Sequence, residues 1–194
     1  NFALDVGSGS GYLTKLLAEN FTFVVGTDIN FDVLTKQYSN LPQEKAVNDQ
    51  IALLKKDTTF VVTTAHQPNL FTGPLYFFYK IIHAIQLAAS LKATFPEYDF
   101  VPVYYMGSED ADLDEVGTFN LDQKKCQWVT KQTGAIGRMQ VDEALLGLLK
   151  QLESYWSILP QGHKALEILK EAYQKGKTIS EATLSFVHSF FGSK

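Results

Sequence analysis

The sequence predicts an α/β fold: parallel strands with flanking helices, followed by a small β meander and amphipathic helices. Three observations carry this. Apolar, β-branched runs recur along the first 106 residues ("FALDV", "FTFVVGT", "TTFVVTT", "DFVPVYYM"). They alternate with stretches of helical periodicity, and strand, helix, strand in that order favours parallel pairing through a right-handed crossover. Each run ends in a polar or glycine-rich turn, as at the carboxyl ends of strands in open α/β sheets.

The elements follow in order. "NFALDVG" reads as a short strand, "GYLTKLLAEN" as a helix with Leu13, Leu16 and Leu17 on one side, and "FTFVVGTDIN" as a second strand. From Phe31 to Lys56 the pattern is polar and helical, with Val33, Leu34 and Tyr38, then Val47, Ile51 and Leu54, at helix spacing. Pro42 divides it, because a proline inside a helix removes a backbone donor. "TTFVVTT" reads as a buried strand ending at Thr64.

The next helix runs from Pro74 to Ala93, with proline in the first turn, where no N–H is needed. Lys80, His83, Gln86 and Ser90 form one narrow polar stripe on it, so the rest of the cylinder is expected to be buried against a sheet. "DFVPVYYMGSED" repeats the strand-then-turn pattern. "GTFNLD" and "KCQWVTKQ" read as short strands and "TGAIGRM" as a flexible turn. Three amphipathic helices close the chain, over Val141–Tyr155, His163–Tyr173 and Ile179–Phe191.

Bulk properties narrow the classes. At 194 residues the chain can bury one sizeable core without staples, and 45% hydrophobic with 20% charged residues excludes a disordered chain. A net charge of -4 argues against a nucleic-acid partner, which needs a basic face. The apolar run Leu75–Ala93 is interrupted too often by Lys80, His83, Gln86, Ser90 and Lys92 to face lipid, so no membrane association is expected. Cys126 is the single cysteine and reads as a structural thiol in a reducing, cytoplasmic compartment. No Cys/His spacing suggests zinc and no GxxxxGK[ST] a phosphate loop, so no metal site is expected.

Three strand ends carry chemistry-bearing residues. After the first come Asp5, Gly7, Gly9 and Gly11, with Asp28 closing the next strand. This spacing resembles motif I of S-adenosylmethionine-dependent methyltransferases over residues 1–30. That resemblance implies a cofactor approached by the glycine backbone, with Asp28 on its ribose hydroxyls. The expected order of a methyltransferase substrate motif is missing from "TTAHQPNLF".

At the second of these strand ends, after "TTFVVTT", His66 has the chemistry to exchange protons or bind phosphate, and Gln67 and Asn69 offer neutral donors. Thr72 with the Gly73 backbone suits an anion cradle at the helix start. Lys80 reaches a carboxylate only if the polar stripe faces the cleft; otherwise the stripe is solvated. At the third of these strand ends, after "DFVPVYYM", stand Ser108, Glu109, Asp110 and Asp112, suited to an amino group, a sugar hydroxyl or a cation, or simply to solvation. His83, His163 and His188 lie on helices without partners and read as structural.

Four blocks in order, "TTAHQPNLFTGPLYFFYKIIHAI", "VPVYYMGSEDADLDEV", "TKQTGAIGRM" and "GKTISEATLSFVHSFFG", resemble the cysteine-adding enzymes of bacillithiol biosynthesis over residues 33–194. The resemblance implies a Rossmann-like core related to nucleotidyltransferases, and a ligase that joins L-cysteine to the amino group of glucosaminyl malate to make a bacterial low-molecular-weight thiol. On the residue chemistry above, His66, Lys80 and Asp110 are read as catalytic, and Gln67, Asn69, Thr72, Gly73, Ser108, Glu109 and Asp112 as substrate-binding. The His66 turn is similar to the HxGH turn of nucleotidyltransferases, but Asn69 stands where the second histidine would, which argues against an adenylating role; the cofactor stays open, with a nucleotide as one candidate. The family resemblance also implies a homodimer formed through a C-terminal coiled coil. Residues 1–32 read as a separate methyltransferase-like unit and the sequence stops at Lys194, before the later strands and the coiled coil, so an incomplete domain from a truncated or chimaeric gene is expected.

Overall fold

The computed structural model describes residues 2–6, 23–27, 31–109 and 113–193. The chain divides into two compact units, Asn1–Thr64 with Lys80–Tyr104 and Gly192–Lys194, and Ala65–Tyr79 with Tyr105–Phe191.

In the first unit, β1 (Phe2–Val6) and β2 (Phe23–Thr27) pair in parallel, from Phe2 opposite Phe23 to Val6 opposite Thr27. The helix expected over "GYLTKLLAEN" lies outside the described residues. α1 (Phe31–Tyr38) and α2 (Lys45–Leu53) follow, separated around Pro42 as the proline requires. Then come β3 (Thr59–His66), α3 (Tyr76–Thr94) and β4 (Asp99–Met106).

β3 and β4 are neighbours in one sheet. The Asp99 amide donates to the Thr58 carbonyl and the Gly107 amide to the His66 carbonyl, both at 3.0 Å. The offset is the same at both ends (99 − 58 = 107 − 66), so the strands run parallel and finish side by side. Phe60 packs against Tyr98 and Phe100, at ring separations of 5.3 and 5.8 Å. Asp99 receives Lys92 and Lys56, each at 3.0 Å, and these ammonium groups, Lys92 first, hold its carboxyl below the usual range.

α3 corrects one expectation. Ile81, Ala84 and Ala88 are buried at three- and four-residue spacing, and Lys80, His83, Gln86 and Ser90 are exposed as a polar stripe should be. Yet Ile82 and Leu87 are also exposed, so the helix is not mostly buried. Among the described residues β3 and β4 form only a two-stranded sheet, too narrow to cover an apolar cylinder.

The second unit holds the larger described core. α4 (Leu113–Val116) leads into β5 (Thr118–Leu121) and β6 (Lys124–Gln127), an antiparallel pair with Thr118 opposite Gln127. The two loop residues, Asp122 and Gln123, both have positive φ, 46° and 66°, which matches the twist a two-residue hairpin needs. The second strand is shorter than expected: "WVTKQ" leaves it, and Trp128 sinks into the core at 1% exposure.

α5 (Glu143–Trp156), α6 (Gly162–Ala172) and α7 (Ile179–Phe191) stand close to their expected bounds. α5 begins where Asp142 accepts the Leu145 amide at 2.9 Å, and it buries Leu145, Leu149 and Leu152 along one stripe. α7 begins with a reciprocal cap: the Glu181 amide donates to the Thr178 hydroxyl at 3.2 Å, and the Thr178 amide to the Glu181 carboxylate at 2.8 Å. "TGAIGRM" is not a flexible turn. Its residues Ile136–Arg138 form a single 3-10 turn with Ile136 and Gly137 buried, followed by buried Met139.

Candidate functional site

His66 is the last residue of β3, two residues beyond the strand end expected at Thr64. Its Nδ1 faces the Gln67 carbonyl at 3.1 Å, and because a carbonyl only accepts, Nδ1 is the donor of that contact. The imidazole lies tilted against Tyr76 at 4.9 Å and meets Phe77 edge to face at 5.5 Å. The Gln67 carbonyl also accepts the Asn69 amide at 2.9 Å, which tightens the turn from the inside. The Gln67 side chain donates to Glu115 at 3.2 Å.

The turn then kinks. Leu70–Thr72 is a 3-10 turn interrupted by Phe71, whose φ of 50° and ψ of 32° are left-handed. A residue with a Cβ spends about 1–2 kcal/mol there. Phe71 offsets this through burial: its ring meets Phe119 at 5.2 Å and Tyr173 at 5.1 Å, and its amide donates to the Tyr173 hydroxyl at 3.2 Å. Full burial of a phenylalanine contributes about 1.5–3 kcal/mol, enough to hold the kink.

Gly73 follows with φ 57°, and a Cβ there would lie 2.6 Å from the Asn69 Cβ, so only glycine fits against that side chain. The Gly73 amide, expected in an anion cradle, donates instead to the Leu70 carbonyl at 2.9 Å. Thr72 closes the 3-10 turn.

The end of β4 is fastened to this turn and to the C-terminal helices. The Gly107 amide donates to the His66 carbonyl at 3.0 Å, and the Ser108 carbonyl accepts the Gly137 amide at 3.2 Å. A Cβ on Gly137 would stand 2.5 Å from the Ser108 Cβ and 2.6 Å from the Ser180 hydroxyl. The Ile179 amide reaches the Met139 carbonyl at 2.9 Å. Residues from all four sequence blocks therefore meet along one line of backbone contacts.

Glu109 is exposed and takes the Arg138 guanidinium on both oxygens, at 2.6 and 3.2 Å. Two-point geometry orients both groups, while exposure limits the pair to about 0–1 kcal/mol. Arg138, Ser180 and Tyr173 were not singled out from the sequence. Arg138 sits in a stretch read as a turn, Ser180 follows a helix cap, and Tyr173 closes a helix, so none carried a local sign of the contact it makes.

The remaining candidates are placed as follows. Lys80 is exposed on α3 and belongs to the first unit. Asp110 and Asp112 lie outside the described residues, as do Gly7, Gly9, Gly11 and Asp28, while Asp5 is on β1. His163 is exposed and His188 buried. Cys126 is buried in the core. Among the described residues no three His, Cys, Asp or Glu side chains group as metal ligands, and no helix is long and apolar enough to cross a membrane.

Neighbouring parallel strands, a helical crossover between β3 and β4, and polar turns at their carboxyl ends define a Rossmann-like α/β domain with a ligand-type end. The chain belongs to the family described as bacillithiol biosynthesis BshC, N-terminal Rossmann-like domain, whose family model matches residues 14–194. It is similar to the protein named "Putative cysteine ligase BshC" of Flavobacterium psychrophilum, 37% identical over 161 residues, which cover 83% of this chain and 30% of that protein. The proteins of the same name in Flavobacterium johnsoniae (38% over 165 residues, 84% of this chain, 30% of that protein) and Christiangramia forsetii (40% over 164 residues, 82% and 30%) are similar to the same degree. The chain thus spans about 30% of the length of these relatives. The family match begins at residue 14, inside the stretch 1–32 read above as methyltransferase-like.

Proposed function

We propose that this chain is the N-terminal Rossmann-like part of an amide-forming cysteine ligase, which joins the carboxyl group of L-cysteine to the amino group of glucosaminyl malate. What supports the reading is the meeting of four separated segments at one strand end, through His66, Gly107, Ser108, Gly137 and Ser180. Relatives that share most of this chain carry the cysteine ligase name.

Making an amide from a carboxylate expels an oxygen, so the carboxyl carbon must first be activated. A nucleoside triphosphate is the co-substrate class for that step. The amine must lose a proton as it attacks, and His66 is the acceptor in this proposal. Ser108, Gln67 and Asn69 serve the polar groups of the substrates, with Asp110 and Asp112 toward the amino groups and Lys80 toward a carboxylate. The Gly73 backbone keeps the turn narrow rather than binding an anion itself. A free-thiol substrate suits a reducing cytoplasm, and the family-length enzyme is proposed to dimerise through its coiled coil.

The test is cysteine addition to glucosaminyl malate with nucleoside triphosphate, by this chain and by a family-length version containing it. Activity that falls about a hundredfold or more in His66→Ala and Asp110→Ala supports the reading, the range a positioned proton-transfer group supplies. Full activity in both variants, or none in the family-length version, defeats it. A second reading, S-adenosylmethionine binding by Asp5, Gly7, Gly9, Gly11 and Asp28, is favoured by the parallel pairing of β1 with β2. Saturable binding of S-adenosylmethionine, lost in Asp28→Ala, is its test.

A further inference from the structure

Tyr173 caps the C-terminal end of α6 with its side chain 1% exposed, a buried titratable group that the proposed chemistry does not use. Its hydroxyl accepts the Phe71 amide at 3.2 Å, across 102 residues of sequence, and its ring lies 5.1 Å from that of Phe71. Phe71 is the one non-glycine residue of the His66 turn with a positive φ. On one side of it, Pro68 and Leu70 are buried and the Asn69 amide is tied to the Gln67 carbonyl, so the segment back to His66 has few ways to move. On the other side begins α3, whose first residues return Tyr76 and Phe77 to the imidazole at 4.9 and 5.5 Å.

The left-handed kink is therefore the joint at which the strand end and the helix start are set against one another. A buried amide in this position, with its residue outside regular helix geometry, calls for an acceptor. The tyrosine hydroxyl supplies one. A phenylalanine at 173 would keep the packing and lose that acceptor.

We propose that Tyr173 is a positioning residue for His66: its hydroxyl holds the Phe71 kink, and the kink fixes the two aromatic rings on the imidazole. This rests on the reading of His66 as part of the reacting site. The experiment is chosen so that the two can fail separately, because it uses no substrate.

Amide hydrogen exchange and the imidazole resonances of His66 are measured by NMR in the 194-residue chain, in Tyr173→Phe and in Thr183→Val, which removes a neighbouring buried hydroxyl. In the unmodified chain the Phe71 amide exchanges far more slowly than that of exposed Gly134. In Tyr173→Phe it exchanges about tenfold faster or more, the scale of one lost hydrogen bond, and the His66 ring signals shift as the Tyr76 and Phe77 rings move. The amides of α7 keep their protection. Fast exchange at Phe71 in the unmodified chain overturns the proposal. So do unmoved His66 signals in Tyr173→Phe, an equal effect from Thr183→Val, or a loosening spread evenly over α5, α6 and α7.

Discussion

Gly137 lies against Ser108 so closely that its amide reaches the Ser108 carbonyl at 3.2 Å while an added Cβ would stand 2.7 Å from that same oxygen. Neither neighbour can step aside cheaply, since one of the crowded atoms is backbone. Gly137→Ala is expected to destabilise the chain by about 1–3 kcal/mol, the usual cost of overfilling a packed site. Gly147, within α5 and with nothing near a Cβ, is the control. Gly147→Ala is expected to stabilise by about 0.5–1 kcal/mol. Denaturant melts of the two variants measure both, and equal midpoints would show that the Ser108 junction is not tight.

Asp142 joins three partners: the Trp128 indole at 2.8 Å and the Leu145 amide at 2.9 Å on one oxygen, and Gln132 at 3.5 Å on the other. Burial alone would raise its carboxyl, but the donors from Leu145, Thr130, Trp128 and Gln132 together outweigh it and leave the group below the usual carboxylate range. The sign follows: a depressed folded value means stability present above about pH 4 and lost as the pH falls through that lowered value. Asp142→Ala removes the cap and strands a buried indole N–H, for an expected loss of about 2–4 kcal/mol. Urea melts at pH 7 and pH 3 test both statements. A loss under 1 kcal/mol at pH 7 would count against the network.

Burial pushes the Tyr173 phenol up to about 12, against the opposing pull of the Thr183 hydroxyl and the Phe71 amide. The Thr183 oxygen is near enough to act on the phenol, yet it has no partner in hydrogen-bonding geometry. With the folded value raised above the unfolded value of about 10, the contribution is complete below pH 10 and is lost as the pH rises through about 12. Thermal unfolding followed from pH 8 to pH 11 should fall more steeply in the unmodified chain than in Tyr173→Phe. Parallel curves would place the alkaline sensitivity elsewhere.

Much of this architecture can be read from local pattern. α7 falls over the expected Ile179–Phe191 because a reciprocal cap at Thr178 and Glu181 precedes an apolar helical stripe, both local signals. β3 and β4 show as β-branched and apolar runs, and their parallel pairing follows from the helix between them. The turn at Ile136–Arg138 was misread because glycine-rich composition reads as mobile, whereas its burial comes from Ser108, 29 positions before Gly137. The kink at Phe71 had no local sign at all. A bulky residue with positive φ runs against its own propensity and is held there by a distant partner. In the candidate site, the backbone junction of β3 and β4 was legible, while the engagements of Gln67 with Glu115 and of Glu109 with Arg138 depend on side chains brought together only by the tertiary fold.

The separation of 102 positions from Phe71 to Tyr173 also sets a delay. A ribosome adding about 5–20 residues per second makes the second partner roughly 5 to 20 s after the first. Through that interval the nascent histidine segment has no hydroxyl to close on, and loop closure over so long a stretch comes late in folding as well. The strand end is thus synthesised well before the residue that completes its shape, and it waits for Tyr173 to emerge.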